Sequence, residues 1–103
     1  MVYSLLVKKR LNTYDITIFQ TPKFGDKKGY EAVYRCFLEG NRHNDVLEKA
    51  FQTFNVADRM PPDYQARYVC TGDILLIDEG KKGQFYYKLH PEGWKQINRI
   101  HVR

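Results

Sequence analysis

From Tyr14 to Gln20 apolar and polar positions alternate, with Tyr14, Ile16 and Ile18 on one side and Asp15 and Thr17 on the other. A repeat of two residues predicts a half-buried strand. Pro22 ends it, and the glycines and charges of Lys23–Gly29 predict a solvent-exposed hairpin loop. Glu31 to Glu39 alternates again with Ala32, Tyr34, Cys36 and Leu38 facing one way, which makes it the natural antiparallel partner of the first strand. Gly40 stops it. After Asn41-Arg42-His43 the period changes, because Val46, Leu47, Ala50, Phe51 and Phe54 recur at the spacing of one helical face. The spacing predicts a helix near residues 45–54, with Asn44 or Asp45 as its cap, Asp45 and Glu48 as a reciprocal capping box, and Asn55 at its C-terminal end.

Pro61 and Pro62 forbid both a helix interior and a central strand, so Arg59–Tyr64 reads as an irregular loop. Further strands are expected beyond it. Arg67–Cys70 is the first, turned by Thr71-Gly72-Asp73 into Ile74-Leu75-Leu76-Ile77, which is apolar on both faces and therefore central. A polar turn, Asp78–Gly83, leads to Gln84–Leu89, where Phe85, Tyr87 and Leu89 share a face and Tyr86 lies opposite. Pro91-Glu92-Gly93 turns the chain again, and Trp94–Val102 fits either a terminal strand or a short helix. The switch between the two periods predicts an α+β fold: an antiparallel sheet of about five strands, covered on one face by one main helix. No repeat or low-complexity linker divides the sequence, so residues 1–103 read as a single domain.

Length limits what such a domain can be. A chain of 103 residues with 43% hydrophobic and 28% charged positions has room for one core. Its longest aliphatic runs, Leu5-Leu6-Val7 and Ile74–Ile77, fall far short of the roughly 20 residues of a membrane span. At the start, Lys8-Lys9-Arg10 follow the short apolar stretch, the reverse of a signal peptide, which predicts a cytoplasmic protein with reduced thiols.

The formal net charge of +5 favours an acidic partner and leaves nucleic acid, anionic lipid and acidic protein surfaces open. Lys8-Lys9-Arg10, Lys27-Lys28, Lys81-Lys82, Lys95, Arg99 and Arg103 spread that charge along the chain, the pattern of a solvated surface. Eight Tyr, six Phe and one Trp suit a strand-rich fold and equally a binding surface.

Catalytic chemistry finds no anchor in the pattern. His43, His90 and His101 are scattered, and no metal-ligand spacing occurs among them or with Cys36 and Cys70, so neither a metal nor another cofactor is expected. Both cysteines fall in strand patterns, where a small buried thiol is the usual occupant. The glycines form neither a P-loop nor a dinucleotide fingerprint. Lys82-Gly83-Gln84-Phe85-Tyr86-Tyr87 faintly resembles the Lys-Gly-aromatic strand of RNA-recognition domains, with Gln84 where an aromatic is expected and Tyr86 as the base-stacking candidate.

Pro62-Asp63-Tyr64, Arg67, Gly72-Asp73-Ile74, Tyr86-Tyr87 and Gly93-Trp94, preceded by Phe54-Asn55, follow one another in an order that resembles the YodL-like family of bacilli and related Gram-positive bacteria. The likeness runs from about Tyr14 to Ile97 and departs from the family pattern at Ala66, Thr71, Leu89 and Trp94. It implies a non-enzymatic modulator of cell shape in a sporulating bacterium, acting on the actin-like filament proteins MreB and Mbl. The alternative is a small basic nucleic-acid-binding protein of mobile-element origin.

A protein partner would be met by Arg59, Tyr64 and Arg67, carried on a loop stiffened by Pro61 and Pro62, since these residue types dominate interface energetics. An exposed Tyr86 and Trp94 would extend that patch if the last strand lies beside residues 84–89. The other reading of the loop is structural, with Tyr64 buried and Arg67 paired to Asp63 or Asp73. Both stay open on sequence alone.

Overall fold

The computed structural model describes residues 12–99. Strands β1 (Asn12–Gln20) and β2 (Glu31–Gly40) form the expected hairpin. Helix α1 (His43–Phe54) follows, then a short 3-10 turn at Ala57–Arg59 and an irregular stretch to Asp73. Strands β3 (Ile74–Asp78), β4 (Gln84–His90) and β5 (Gly93–Ile97) complete one antiparallel sheet of order β2-β1-β3-β4-β5. This is the α+β architecture that the change of period predicts, with β3 in the middle. Among the described residues no helix is long and apolar enough to cross a membrane.

One face of the sheet carries α1. Tyr14, Ile16, Ile18, Leu75, Ile77 and Leu89 pack there against Val46, Leu47, Ala50 and Phe54. Full burial of each large apolar side chain stabilises by about 1.5–3 kcal/mol, so this layer provides most of the driving force. Strand β3 is buried on both sides, because Ile74 joins Tyr86 in a second cluster with Phe19, Tyr30, Leu76 and Ile97 on the other face, which carries no helix among the described residues.

Several expectations are corrected. Arg67–Cys70 is not a strand. Its backbone groups are satisfied from elsewhere: Gln20 Nε2 donates to the Arg67 carbonyl at 3.0 Å, the Val69 N–H donates to the Phe54 carbonyl at 3.0 Å, and the Cys70 N–H donates to the Asp73 carboxylate at 3.0 Å. The helix begins earlier than the capping box predicts. Arg42 is its N-cap and makes no side-chain cap bond, while Asp45 sits three residues on and accepts from the Asn41 N–H at 2.9 Å. An acidic group in that position still offsets the orphan donors of the first turn.

Ala32 leaves the face expected of it. A bulge between Ile18 and Phe19 puts Tyr34 opposite Ile18 but Ala32 opposite Phe19, so Val33 is the inserted residue and the alternation breaks there. Trp94–Ile97 resolves as strand; Val102 and the rest of the expected segment beyond Arg99 lie outside the described residues, as do Lys8-Lys9-Arg10, His101 and Arg103.

Candidate functional site

The irregular stretch after α1 is organised by one buried carboxylate. Asp73 is 3% exposed. Its Oδ2 accepts from Gln20 Nε2 at 2.9 Å and from the Cys70 N–H at 3.0 Å, and Arg67 Nη2 stands 3.5 Å from Oδ1. Burial raises the Asp73 pKa, against the opposing pull of the Cys70 N–H, the Gln20 amide and the Arg67 guanidinium. Arg67 also donates through Nη1 to the Thr21 carbonyl at 2.8 Å, tying the stretch to the end of β1.

Tyr64 closes the same knot. Its ring lies 4.9 Å from Phe54 and 5.1 Å from Tyr34, and its hydroxyl donates to the Arg67 carbonyl at 2.5 Å. Burial, with Asp73 nearby, pushes the phenol up to about 12. Tyr34 donates to Asp63 at 2.7 Å, and that bond is the main reason its phenol also rises to about 12. Of the two readings of this loop, the geometry matches the structural one: Tyr64 is buried, and Arg67 faces Asp73 rather than Asp63.

The five partner-contact candidates therefore do not form one patch. Tyr64 and Arg67 belong to the knot, and Arg59 is solvent-exposed at the 3-10 turn. Tyr86, expected to be exposed, is 9% accessible, because Phe19, Tyr30 and Ile97 pack around it on the face without a helix. Trp94 lies opposite Leu89, whereas Tyr86 lies opposite Ile97, so alternation places Trp94 and Tyr86 on opposite faces of the sheet.

Trp94 instead borders a groove of about 420 Å³ between α1, residues 70–71 and the β4–β5 turn. Phe51 and Leu89 share its apolar lining, and Glu48, Glu92 and His90 stand among its polar groups. Phe51 was expected inside the core. It falls at the margin of the helical stripe that buries Val46, Leu47, Ala50 and Phe54, and is left 37% exposed. Glu48, Phe51 and Asn55 recur at helical spacing and turn a second side of α1 toward this groove. That spacing was the available signal, hidden because Phe51 also fits the core stripe.

A second polar cluster has no sequence signature. His43 Nδ1 is 2.6 Å from the Tyr87 hydroxyl, and its Nε2 contacts Glu79. The imidazole sits edge-on among Tyr14, Phe85 and Tyr87. Burial, with Glu79 next in effect, raises the Tyr87 phenol. These partners come from α1, β4 and the β3–β4 connection, so only the fold brings them together. Burial pushes the Cys36 thiol up to about 11 and that of Cys70 in the same direction, so both are held protonated at neutral pH. Among the described residues no three His, Cys, Asp or Glu side chains cluster as a metal site requires.

A family model described as a YodL-like domain matches residues 6–99. A protein of Bacillus subtilis (strain 168) described as "Uncharacterized protein YodL" is 59% identical over 96 residues, covering 93% of this chain and 92% of the relative. No solved structure matches.

Proposed function

This chain belongs to the YodL-like family, and we propose that it works by binding another protein, without catalysis of its own. The observation that carries this reading is the groove beside Trp94, where two aromatic side chains and Leu89 meet in a concave surface. Aromatic residues in such a setting supply large contact area at low conformational cost. Phe51 stands 37% exposed there, an apolar surface that a partner's side chain would cover.

Within this reading the partner is an actin-like filament protein of the MreB or Mbl type, the class that family resemblance implies, met in the cytoplasm of a sporulating bacterium. The net charge of +5 would assist encounter with an acidic filament surface. Base stacking is the less favoured mode, since Tyr86, its candidate platform, is enclosed by neighbouring side chains.

The test is a binding titration of the purified chain against purified MreB and Mbl, with the Phe51→Ala/Trp94→Ala and Arg59→Ala variants alongside. The groove variant is expected to weaken binding at least tenfold, and Arg59→Ala by less than threefold. Equal loss in both variants would move the contact surface away from the groove. No binding to either filament protein would remove that partner class, and salt-sensitive binding to mixed DNA or RNA would put nucleic acid in its place.

A further inference from the structure

Among the described residues strand β2 is an edge of the sheet, so one side of its backbone has no neighbouring strand there. Natural edge strands are usually short, bulged, or guarded by proline and inward charge. β2 is ten residues long and contains no proline. Its bulge lies at the Val33 end, leaving Tyr34–Gly40 in unbroken register with β1. At the centre of that regular stretch stands Phe37, 64% exposed on the face without a helix.

We infer that this edge pairs with the same edge of a second copy of the chain, antiparallel about a twofold axis through Phe37. The charge pattern fits that register. Phe37 meets Phe37 of the other copy, Cys36 meets Leu38, and Arg35 meets Glu39, each contact occurring twice as an isologous interface requires. Arg35, Phe37 and Glu39 lie opposite Thr17, Asp15 and Thr13 and so share one face. Moving the axis to Arg35 would set Arg35 on Arg35 and Glu31 on Glu39, which like charge opposes.

The two charged groups are also ready to pair. Arg35 binds Asp15 through Nε at 2.9 Å and Nη2 at 2.6 Å, while its Nη1 has no partner among the described residues. The Glu39 carboxylate likewise accepts no hydrogen bond from a described residue, so the guanidinium and the carboxylate complement each other across the axis. Lys49 Nζ donates to the Glu39 carbonyl at 2.6 Å. A carbonyl oxygen accepts two hydrogen bonds, so this contact can persist in the dimer. The result is one continuous sheet running through both copies, with the helices on one side. The inference does not depend on the filament partner or on the groove.

Sedimentation equilibrium of the full chain, across micromolar to sub-millimolar concentration, is expected to show a reversible monomer–dimer equilibrium. Phe37→Lys and Glu39→Lys should each weaken dimerisation at least tenfold. Glu39→Lys decides the matter should Phe37→Lys lose its circular-dichroism signature. In a Cys36→Ser/Cys70→Ser background, Phe37→Cys should form a covalent dimer on mild oxidation, whereas Val33→Cys, out of register with itself, should not. A monomer at every concentration, a dimer indifferent to Glu39→Lys, or equal cross-linking at positions 33 and 37 would each overturn the proposal.

Discussion

The two faces of the sheet are built from the same strands with the same alternation, yet they end in different states. On the helix side Ile16, Ile77 and Phe54 are completely enclosed. On the other side the buried cluster among the described residues is the patch around Ile74 and Tyr86, where Tyr30 packs and donates its hydroxyl to the Gly72 carbonyl at 2.5 Å. Further out on that face, at the β2 edge, Phe37 stands in solvent. Alternation decides which side chains share a face; whether the face is closed depends on what crosses it. The helix closes one side as a layer, and a single tyrosine closes part of the other.

The sharpest way to break that contrast is to remove the side chain that joins the helix to both the sheet and the loop. Phe54→Ala empties a fully buried site shared by Tyr34 and Tyr64, and should cost about 3–5 kcal/mol in urea denaturation. A loss under about 1 kcal/mol would mean that the layer collapses into the gap and is less tightly packed than the contacts imply.

Next in size is the buried carboxylate. Asp73→Ala removes the buried carboxylate that accepts from Gln20 Nε2 and the Cys70 N–H and faces the Arg67 guanidinium, and should cost about 3 kcal/mol, whereas Asp73→Asn keeps an acceptor oxygen and should cost less than half of that. The pH dependence has a definite sign. Burial raises the folded-state pKa of Asp73 above its unfolded value, so between the two values the folded chain binds more protons. This group's contribution to stability is therefore greatest at acid pH, falls as pH rises through that window, and is flat above it. Subtracting the Asp73→Asn profile from that of wild type should isolate a slope of this sign; an opposite slope would show that the hydrogen bonds to the carboxylate outweigh its burial.

Tyr64→Phe removes only the hydroxyl that donates to the Arg67 carbonyl. Because Gln20 still donates to that oxygen, the cost should be about 1 kcal/mol by thermal or urea unfolding. A cost near that of Phe54→Ala would make the knot, rather than the helix layer, the centre of the fold.

These residues also mark how far the sequence could be read. The period-two runs of β1 and β4, the doubly apolar run of β3 and the stripe Val46, Leu47, Ala50, Phe54 were legible because each signal is local. Residues 67–70 were misread as a strand because Tyr68, Val69 and Cys70 have strand-forming side chains, while the partners that take over their backbone lie far off in the chain, as Gln20 does. The exposure of Tyr86 failed for the reason the two faces teach, since alternation placed it opposite Phe85 but said nothing of Tyr30. Trp94 was singled out as a contact candidate from its turn, but its groove needs Phe51 and Leu89, brought alongside by helix placement and strand register.

The smallest expected effect completes the contrast. Phe37 and Phe54 are the same residue type on the two sides of one sheet, 64% and 0% exposed. Phe37→Ala, measured at concentrations low enough that self-association contributes nothing, should change unfolding free energy by about 0.5 kcal/mol or less, because a side chain already in water has little burial to lose. Asp15, which lies opposite it across the strand pair, is bound to Arg35, and that pair is itself solvent-facing on the arginine side. A loss above about 2 kcal/mol would mean that the face without a helix is closed over Phe37 in solution, and the distinction between the two faces would then be one of degree.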